Sequence, residues 1–111
     1  MSNTLTNNIK KYIVNDRVAV LITPDYGTGW STLNKKYPQI LFDPNVVAMV
    51  ITNHTGDEML EYLKATYPEG YFDGLDALKV CWIDVGRQFV IHEYDGLESI
   101  RYVEDFNWIT A

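Results

Sequence analysis

The sequence predicts an α+β fold in which an antiparallel β-meander carries two short helices packed on one face. Three segments near the C-terminus alternate apolar and polar residues in period two, as half-buried strands do. Earlier in the chain, two segments start with a capping residue and place apolar side chains at helical spacing. With 111 residues, of which 47% are hydrophobic, the chain is long and apolar enough to form one hydrophobic core. We therefore expect a single domain over residues 1–111.

The first firm strand is predicted near the N-terminus. Residues 1–9 are mostly polar, and we expect them to form a flexible arm. Residues 10–14 could form a short helix or a strand, and Asn15-Asp16 then marks a turn. The apolar run VAVLI that follows predicts a buried strand over residues 17–23, which ends at Pro24.

The middle of the chain contains the two predicted helices. Residues 39–42 are a short apolar piece that could pair as a strand. Asp43-Pro44 predicts a helix start, because Asp can cap and Pro is tolerated at the first helical position. The many β-branched residues that follow leave a strand as the alternative. Thr55 or Asp57 can cap the second helix, which Pro68 closes. Its apolar stripe consists of Met59, Leu60, Leu63 and Tyr67.

The strands of the meander are predicted over residues 78–84, 87–94 and 98–105. The dipeptide Asp95-Gly96 between two alternating strands indicates a two-residue hairpin turn, which fixes the register. The predicted pairs are Tyr94 with Leu97, His92 with Ser99, Ile91 with Ile100, Phe89 with Tyr102, and Arg87 with Glu104. One face of the hairpin then carries Phe89, Ile91, Ile100 and Tyr102 and should face the core. We expect residues 106–109 to tuck back onto this sheet.

Charge and cysteine content limit the classes of function. Fifteen acidic and nine basic residues give a net charge of -6, which disfavours nonspecific binding to nucleic acid and suits either solubility or a basic partner surface. Cys81 is the single cysteine, so no internal disulfide can form, and we expect a buried, inert thiol. No signal peptide or membrane-length apolar run is visible, so we expect a cytoplasmic protein that does not bind membranes.

The most distinctive segment is a glycine loop, residues 24–34, with the sequence PDYGTGWSTLN. Glycines let backbone N–H groups converge on an anion, and hydroxyls can add donors. The loop lacks the third glycine of a dinucleotide fingerprint and the Lys-Ser/Thr ending of a P-loop. A tight structural turn with a packed Trp30 is the alternative to a ligand site. The candidate ligand-binding residues are Tyr26, Gly27, Gly29, Trp30, Ser31 and Thr32.

Catalytic and metal-binding groups do not converge in the sequence. A triad of Ser31, His92 and Asp95 is disfavoured, because residues 92 and 95 project to opposite faces of a continuing strand. His92, Glu93 and Asp95 also lack the spacing of metal ligands. We therefore expect no enzyme, no cofactor and no metal. The carboxylates of Glu93, Asp95 and Glu98 cluster at the hairpin tip, where we expect a solvated acidic rim that could bind a partner.

Several segments of the chain resemble small uncharacterised proteins of tailed bacteriophages and prophages. They are the apolar run Val18-Ala19-Val20-Leu21, residues 24–32 of the glycine loop, the segment Leu41-Phe42-Asp43-Pro44 and the turn at residues 93–99. The resemblance spans residues 17–111 and carries no catalytic residues with it. It implies a phage-encoded protein. Small phage proteins outside the virion often act in the host cytoplasm on host or defence components, either by blocking a protein surface or by sequestering a small signal molecule.

Two functions follow as hypotheses for a non-enzymatic binding protein. In the first, it is a host-defence antagonist that sequesters a nucleotide-like small ligand, with Tyr26 and Trp30 stacking on a base and the loop donating to phosphates or ribose. In the second, it is a protein-interaction inhibitor whose acidic, aromatic surface blocks a host or defence protein. Self-association into a homo-oligomer through a sheet edge or an aromatic face is a further expectation.

Overall fold

The computed structural model describes residues 9–103. This part of the chain contains five strands and two α-helices, which confirms the predicted α+β class. The elements are β1 (Ile13–Val14), β2 (Arg17–Ile22), α1 (Pro44–Ile51), α2 (Gly56–Thr66), β3 (Lys79–Asp84), β4 (Phe89–Tyr94) and β5 (Leu97–Tyr102). Short 3-10 turns lie at Ser31–Leu33, Pro38–Leu41 and Leu75–Ala77. Neither helix is long and apolar enough to cross a bilayer within residues 9–103.

The strands form two antiparallel sheets instead of one continuous meander. One sheet has the order β1-β2-β3, and β4 pairs with β5 in a separate hairpin. The break falls at a tight turn in which the Arg87 N–H donates to the Asp84 carbonyl at 3.0 Å, with Gly86 at a φ of 86°. The split has a simple cause. Strand β2 is apolar on both faces, so both faces need a cover.

Strand β2 is the centre of the fold. Ala19 and Leu21 point to the core that the helices cover, which confirms that both helices pack on one face of the sheet. Val18, Val20 and Ile22 point to the opposite core, which the hairpin covers. The predicted core face of the hairpin is confirmed, because Phe89, Ile91, Ile100 and Tyr102 all pack against this second core. The continuous apolar run VAVLI is therefore the signature of a strand between two layers.

Both helices begin where capping residues predict. The Asp43 carboxylate accepts from the Asn45 and Val46 N–H groups at 2.9 and 3.1 Å, with Pro44 in the first turn, so the alternative of a strand here is excluded. Of the two caps considered for α2, the structure uses Thr55, which forms a reciprocal capping box with Glu58. Helix α2 ends at Thr66, shortly before Pro68.

The hairpin turn and its register also agree with the sequence. Asp95 and Gly96 have φ values of 50° and 86°, as a two-residue turn of the primed type requires. Four of the predicted cross-strand pairs are confirmed, from Tyr94 with Leu97 to Phe89 with Tyr102. The pair of Arg87 with Glu104, the segment 106–109 and residues 1–8 of the predicted arm lie outside the described residues.

Two short segments for which the sequence left the structure open have defined conformations. Within residues 10–14 the strand alternative holds, since β1 pairs with β2 through Ile13 and Val18. The expectation that residues 39–42 pair as a strand is wrong. Pro38 opens a 3-10 turn there, in which the Ile40 N–H donates to the Tyr37 carbonyl at 2.9 Å, and Ile40 is buried.

Candidate functional site

The glycine loop and the β4–β5 turn meet in space and form one structural unit. The Gly27 N–H donates to the Asp95 carbonyl at 2.7 Å, and the Thr28 hydroxyl lies 3.2 Å from the Gly96 carbonyl. That hydroxyl also donates to the Asp25 carbonyl. On the other side of the turn, the Glu98 N–H donates to the Thr23 carbonyl at 3.0 Å. The two most distinctive sequence motifs therefore hold each other in place.

Gly96 makes this close contact possible. Its φ of 86° lies in the left-handed region that favours glycine. A Cβ at this position would lie only 2.5 Å from the Thr28 carbonyl oxygen, 2.6 Å from the Thr28 nitrogen and 2.9 Å from the Gly27 carbonyl carbon. The glycine loop thus packs with its backbone directly against the hairpin turn, and a side chain at residue 96 would separate them.

The glycine loop surrounds an anion that belongs to the protein itself. The Glu98 side chain is only 1% exposed. Its Oε1 accepts from the Thr23 N–H at 3.0 Å and lies 3.4 Å from the Thr23 hydroxyl. Its Oε2 accepts from the Trp30 N–H at 2.8 Å, from the Thr32 N–H at 3.1 Å and from the Thr32 hydroxyl at 2.5 Å. The carboxylate is buried with a donor set that offsets the loss of its hydration.

The predicted exposure of Glu98 is therefore wrong. Glu93 and Asp95 lie at the surface as expected, but Glu98 does not belong to a solvated rim. The register explains why. In a strand, residues 98, 100 and 102 share a face, and Ile100 and Tyr102 face the core. Reading the alternation through the turn would have placed Glu98 inside.

Trp30 is also buried, so its ring is not available to stack on a ligand. The side chain is 1% exposed, its indole N–H donates to the Ile40 carbonyl at 2.9 Å, and its ring packs on Phe72 with 6.1 Å between centroids. The expectation that Trp30 stacks on a ligand is wrong for this reason. Trp30 is packed, as the alternative of a structural turn expected, whereas a ligand role for the rest of the loop stays a prediction.

The other candidate ligand-binding residues lie together in the loop in different environments. Tyr26 and Gly27 are exposed, whereas Gly29 is buried with a φ of 141°. A Cβ on Gly29 would lie 2.5 Å from the Leu33 side chain. Ser31 and Thr32 are partly exposed, and the N–H and hydroxyl of Thr32 both point to Glu98. The anion-cradling geometry expected of the loop exists, and Glu98 occupies it.

Five exposed residues with side chains on the outside of the unit form what we call the tip surface. They are Asp25, Tyr26, Glu93, Tyr94 and Asp95. The rings of Tyr26 and Tyr94, 66% and 67% exposed, meet edge to face with 6.3 Å between centroids and 78° between planes. The Glu93 carboxylate accepts from the Gly96 N–H at 2.6 Å. Sequence reasoning missed Tyr94, although its position before Asp95-Gly96 would have indicated an exposed tip.

A second buried carboxylate lies at the start of α1. Besides capping that helix, Asp43 accepts from the hydroxyls of Tyr62 and Tyr67 at 2.9 and 2.5 Å. Burial, followed by the hydrogen bond to Asp43, raises the pKa of Tyr67, and burial also raises that of Tyr62. A groove of about 410 Å³ beside this cluster is lined in part by Pro38 and Pro44. Because Tyr62 lies in α2 and Tyr67 directly follows that helix, the cluster joins the two helices.

The described residues that were considered for metal binding and catalysis have the following surroundings. Within residues 9–103, no group of three or more His, Cys, Asp or Glu side chains could hold a metal ion. His92 is exposed and pairs with Ser99 across the hairpin. Cys81 is partly buried, and this burial raises the pKa of its thiol, which reduces the thiolate fraction at neutral pH.

Comparison with known proteins gives no relative from which a function could be transferred: the chain matches no protein-family model, no curated protein and no solved structure.

Proposed function

We propose that this chain is a non-enzymatic binding protein that docks on a basic protein surface through the tip surface. The observation that carries this proposal is the pair of Tyr26 and Tyr94. Two large aromatic rings, each about two-thirds exposed, lie side by side on segments 68 residues apart in sequence. Tyrosine is enriched at protein interfaces because it contributes a large contact area and a polar tip.

The backbone beneath the two rings favours binding with little loss of entropy. Tyr26 precedes Gly27, whose N–H is bonded to Asp95, and Tyr94 precedes Asp95. The Glu98 carboxylate holds the far end of the loop through Trp30 and Thr32. Aromatic residues on a preorganised support lose less conformational freedom on binding than residues on an unconstrained loop.

The charge of the tip surface indicates the kind of partner. Three of its five residues are carboxylates, namely Asp25, Glu93 and Asp95, and the remaining two are the tyrosines. The chain as a whole carries a net charge of -6. A surface rich in Arg or Lys would be attracted over a Debye length of about 8–10 Å, and its cations could lie against the tyrosine rings.

This proposal develops the protein-interaction hypothesis more than the ligand hypothesis. Sequestration of a nucleotide-like ligand in the glycine loop relies on Trp30 for stacking and on loop donors for phosphate. Trp30 is buried, and the donors at Trp30 and Thr32 already bond to Glu98. That hypothesis, the phage origin and the host cytoplasm as the site of action stay predictions, as does a homo-oligomer. A rise in Tm with any member of a nucleotide panel would favour the ligand hypothesis.

Site-specific photo-crosslinking tests the proposal. A photoreactive phenylalanine analogue would replace Tyr26 or Tyr94 in separate preparations, each incubated with bacterial lysate and irradiated. The control places the analogue at Tyr71, an exposed tyrosine outside the tip surface. We expect the same protein to be captured from positions 26 and 94 and not from 71.

Charge reversal then tests how that partner is bound. The double variant Glu93→Lys and Asp95→Lys should lose the crosslink, and higher salt should weaken it. Glu98 is left unchanged, because its carboxylate is internal. Capture from all three positions, or capture that survives both charge reversal and salt, would contradict a specific acidic interface.

A further inference from the structure

We propose that residues 23–32 form a receptor for a two-carbon carboxylate, occupied in the native protein by the Glu98 side chain. The receptor would bind free acetate once that side chain is removed. The receptor lies in the interior of the unit formed by the glycine loop and the β4–β5 turn, and it is independent of any partner of the tip surface. It is defined by how the donors are arranged around the two carboxylate oxygens.

The donors divide between the two oxygens of a planar anion. Thr23 supplies the N–H and the hydroxyl nearest Oε1, at 3.0 and 3.4 Å. Trp30 and Thr32 supply two N–H groups and one hydroxyl to Oε2, at 2.8, 3.1 and 2.5 Å. A tetrahedral phosphate would bring further oxygens that these five donors do not serve. The arrangement therefore selects a carboxylate.

The donor set carries no net charge, which also favours a carboxylate. The five groups are three backbone N–H groups and two threonine hydroxyls, all of them neutral. Neutral dipoles in a buried position can balance one negative charge, but a dianion would remain largely uncompensated. We therefore expect the receptor to favour a monoanion over phosphate or sulfate.

The donors hold their positions through contacts of their own. The Leu33 and Asn34 N–H groups donate to the Trp30 and Ser31 carbonyls at 3.2 Å each, which fixes the turn around Thr32. The Asn34 side chain amide also donates to the Trp30 carbonyl at 2.8 Å. Thr23 directly follows strand β2 and is fully buried. Because these bonds do not involve Glu98, the receptor should keep its shape in the absence of that side chain.

The size of the vacated space identifies the best-fitting anion. In Glu98→Ala, the atoms lost beyond Cβ are one methylene carbon and one carboxylate group, which match acetate. Formate lacks the carbon, and propionate adds one to a fully buried position. The expected order of binding is therefore acetate first, with formate and propionate weaker and phosphate absent.

Thermal unfolding of Glu98→Ala provides the test. The Tm is measured in rising sodium acetate, with chloride as the balancing salt at fixed pH and ionic strength, and then with formate, propionate and phosphate. We expect a saturable rise of about 5 °C with acetate, since ligands that bind only the native state raise Tm. The wild type and Glu61→Ala, which removes an exposed glutamate on α2, should show no such saturation.

Three outcomes would overturn the proposal. They are an acetate effect no larger than that of chloride or propionate, an equal effect on Glu61→Ala, and a phosphate effect as large as that of acetate. If Glu98→Ala is unfolded in chloride, refolding from urea is followed by near-UV circular dichroism, and failure of acetate to recover the native signal also counts against it.

Two further changes in the Glu98→Ala background locate the bound acetate. Thr32→Val removes one hydroxyl donor but keeps the β-branched shape, and should weaken the apparent acetate affinity about fivefold. Ser31→Ala is the matched control, because the Ser31 hydroxyl makes no hydrogen bond within the described part of the chain. Equal affinities in the two double variants would mean that acetate binds elsewhere.

Discussion

Glu93 and Glu98 lie directly opposite each other across the β4–β5 hairpin, yet Glu93 is exposed and Glu98 is 1% exposed. The two carboxylates share a face of the hairpin with Ile91 and Ile100. They differ in what covers them. The glycine loop closes over Glu98 and provides its donors, whereas Glu93 reaches the N–H of Gly96 at the open end of the turn. One glutamate joins two segments of the fold, and the other remains at its surface.

Glu98→Gln should therefore destabilise the protein far more than Glu93→Gln. The amide keeps the shape of the side chain, but its NH₂ group would face donors that the carboxylate oxygen now accepts from. Leaving such buried donors unsatisfied lowers the free energy of unfolding by about 2–4 kcal/mol. Glu93→Gln, at an exposed position, should change it by less than about 0.5 kcal/mol. Urea unfolding of the two variants measures both values, and equal losses would contradict the buried donor set.

Gly96→Ala and Gly86→Ala separate two reasons for which a turn requires glycine. Both glycines have a φ of 86°, so alanine meets the same backbone strain at either position. At Gly86 a Cβ would find nothing within 4 Å, but at Gly96 it would meet the Thr28 and Gly27 backbone at 2.5–2.9 Å. We expect Gly86→Ala to lower the free energy of unfolding by about 1 kcal/mol because of backbone strain. Gly96→Ala should lower it by about 1–3 kcal/mol more because of the clash.

Chemical denaturation of both glycine variants gives the comparison directly. Gly96→Ala should also separate the tyrosine pair, because the loop that carries Tyr26 must move away from the turn. If the two variants were equally stable, the close backbone contact between the loop and the turn would not contribute to folding.

The features that could be predicted from the sequence are those with local causes. Asp43 and Thr55 cap helices through their own neighbours along the chain, and Asp95-Gly96 sets a register that four observed pairs follow. Each of these signals lies within a few residues of the structure it specifies. The α+β class follows from them together.

The features that could not be predicted depend on contacts distant in sequence. Whether Trp30 is packed or exposed is decided by Ile40 and Phe72, and the glycine loop gains its occupant from residue 98. The division into two sheets likewise depends on β2 needing cover on both faces. For Glu98 a local signal existed, because in strand β5 it shares the core-facing side with Ile100 and Tyr102.

Trp30→Ala and Tyr26→Ala should affect different properties although the residues share one loop. Trp30 is buried and hydrogen-bonded, so its truncation should lower the free energy of unfolding by about 3–5 kcal/mol. Tyr26 is 66% exposed, and its loss should change stability by less than about 1 kcal/mol while weakening capture of the tip-surface partner. Thermal unfolding and crosslinking from position 94 measure the two effects, and a stable Trp30→Ala would contradict the packed turn.

Alkaline pH should destabilise the protein partly through Tyr67, which is 2% exposed and donates to Asp43. Burial raises the pKa of Tyr67, so the folded state keeps its proton at a pH where the unfolded state, with a tyrosine pKa of about 10, loses it. The stabilisation from Tyr67 is thus fully present below about pH 10 and declines above it, by about 1.4 kcal/mol per pH unit for one tyrosine.

Tyr67→Phe should be less stable than the wild type at neutral pH, by about 1–2 kcal/mol for the lost hydrogen bond, but its stability should decline less steeply above about pH 10. Tyr62→Phe should show the same change to a smaller extent, since Tyr62 is only partly buried. Urea unfolding from pH 8 to 11 measures these slopes, and parallel curves for the wild type and Tyr67→Phe would show that the buried phenol does not contribute.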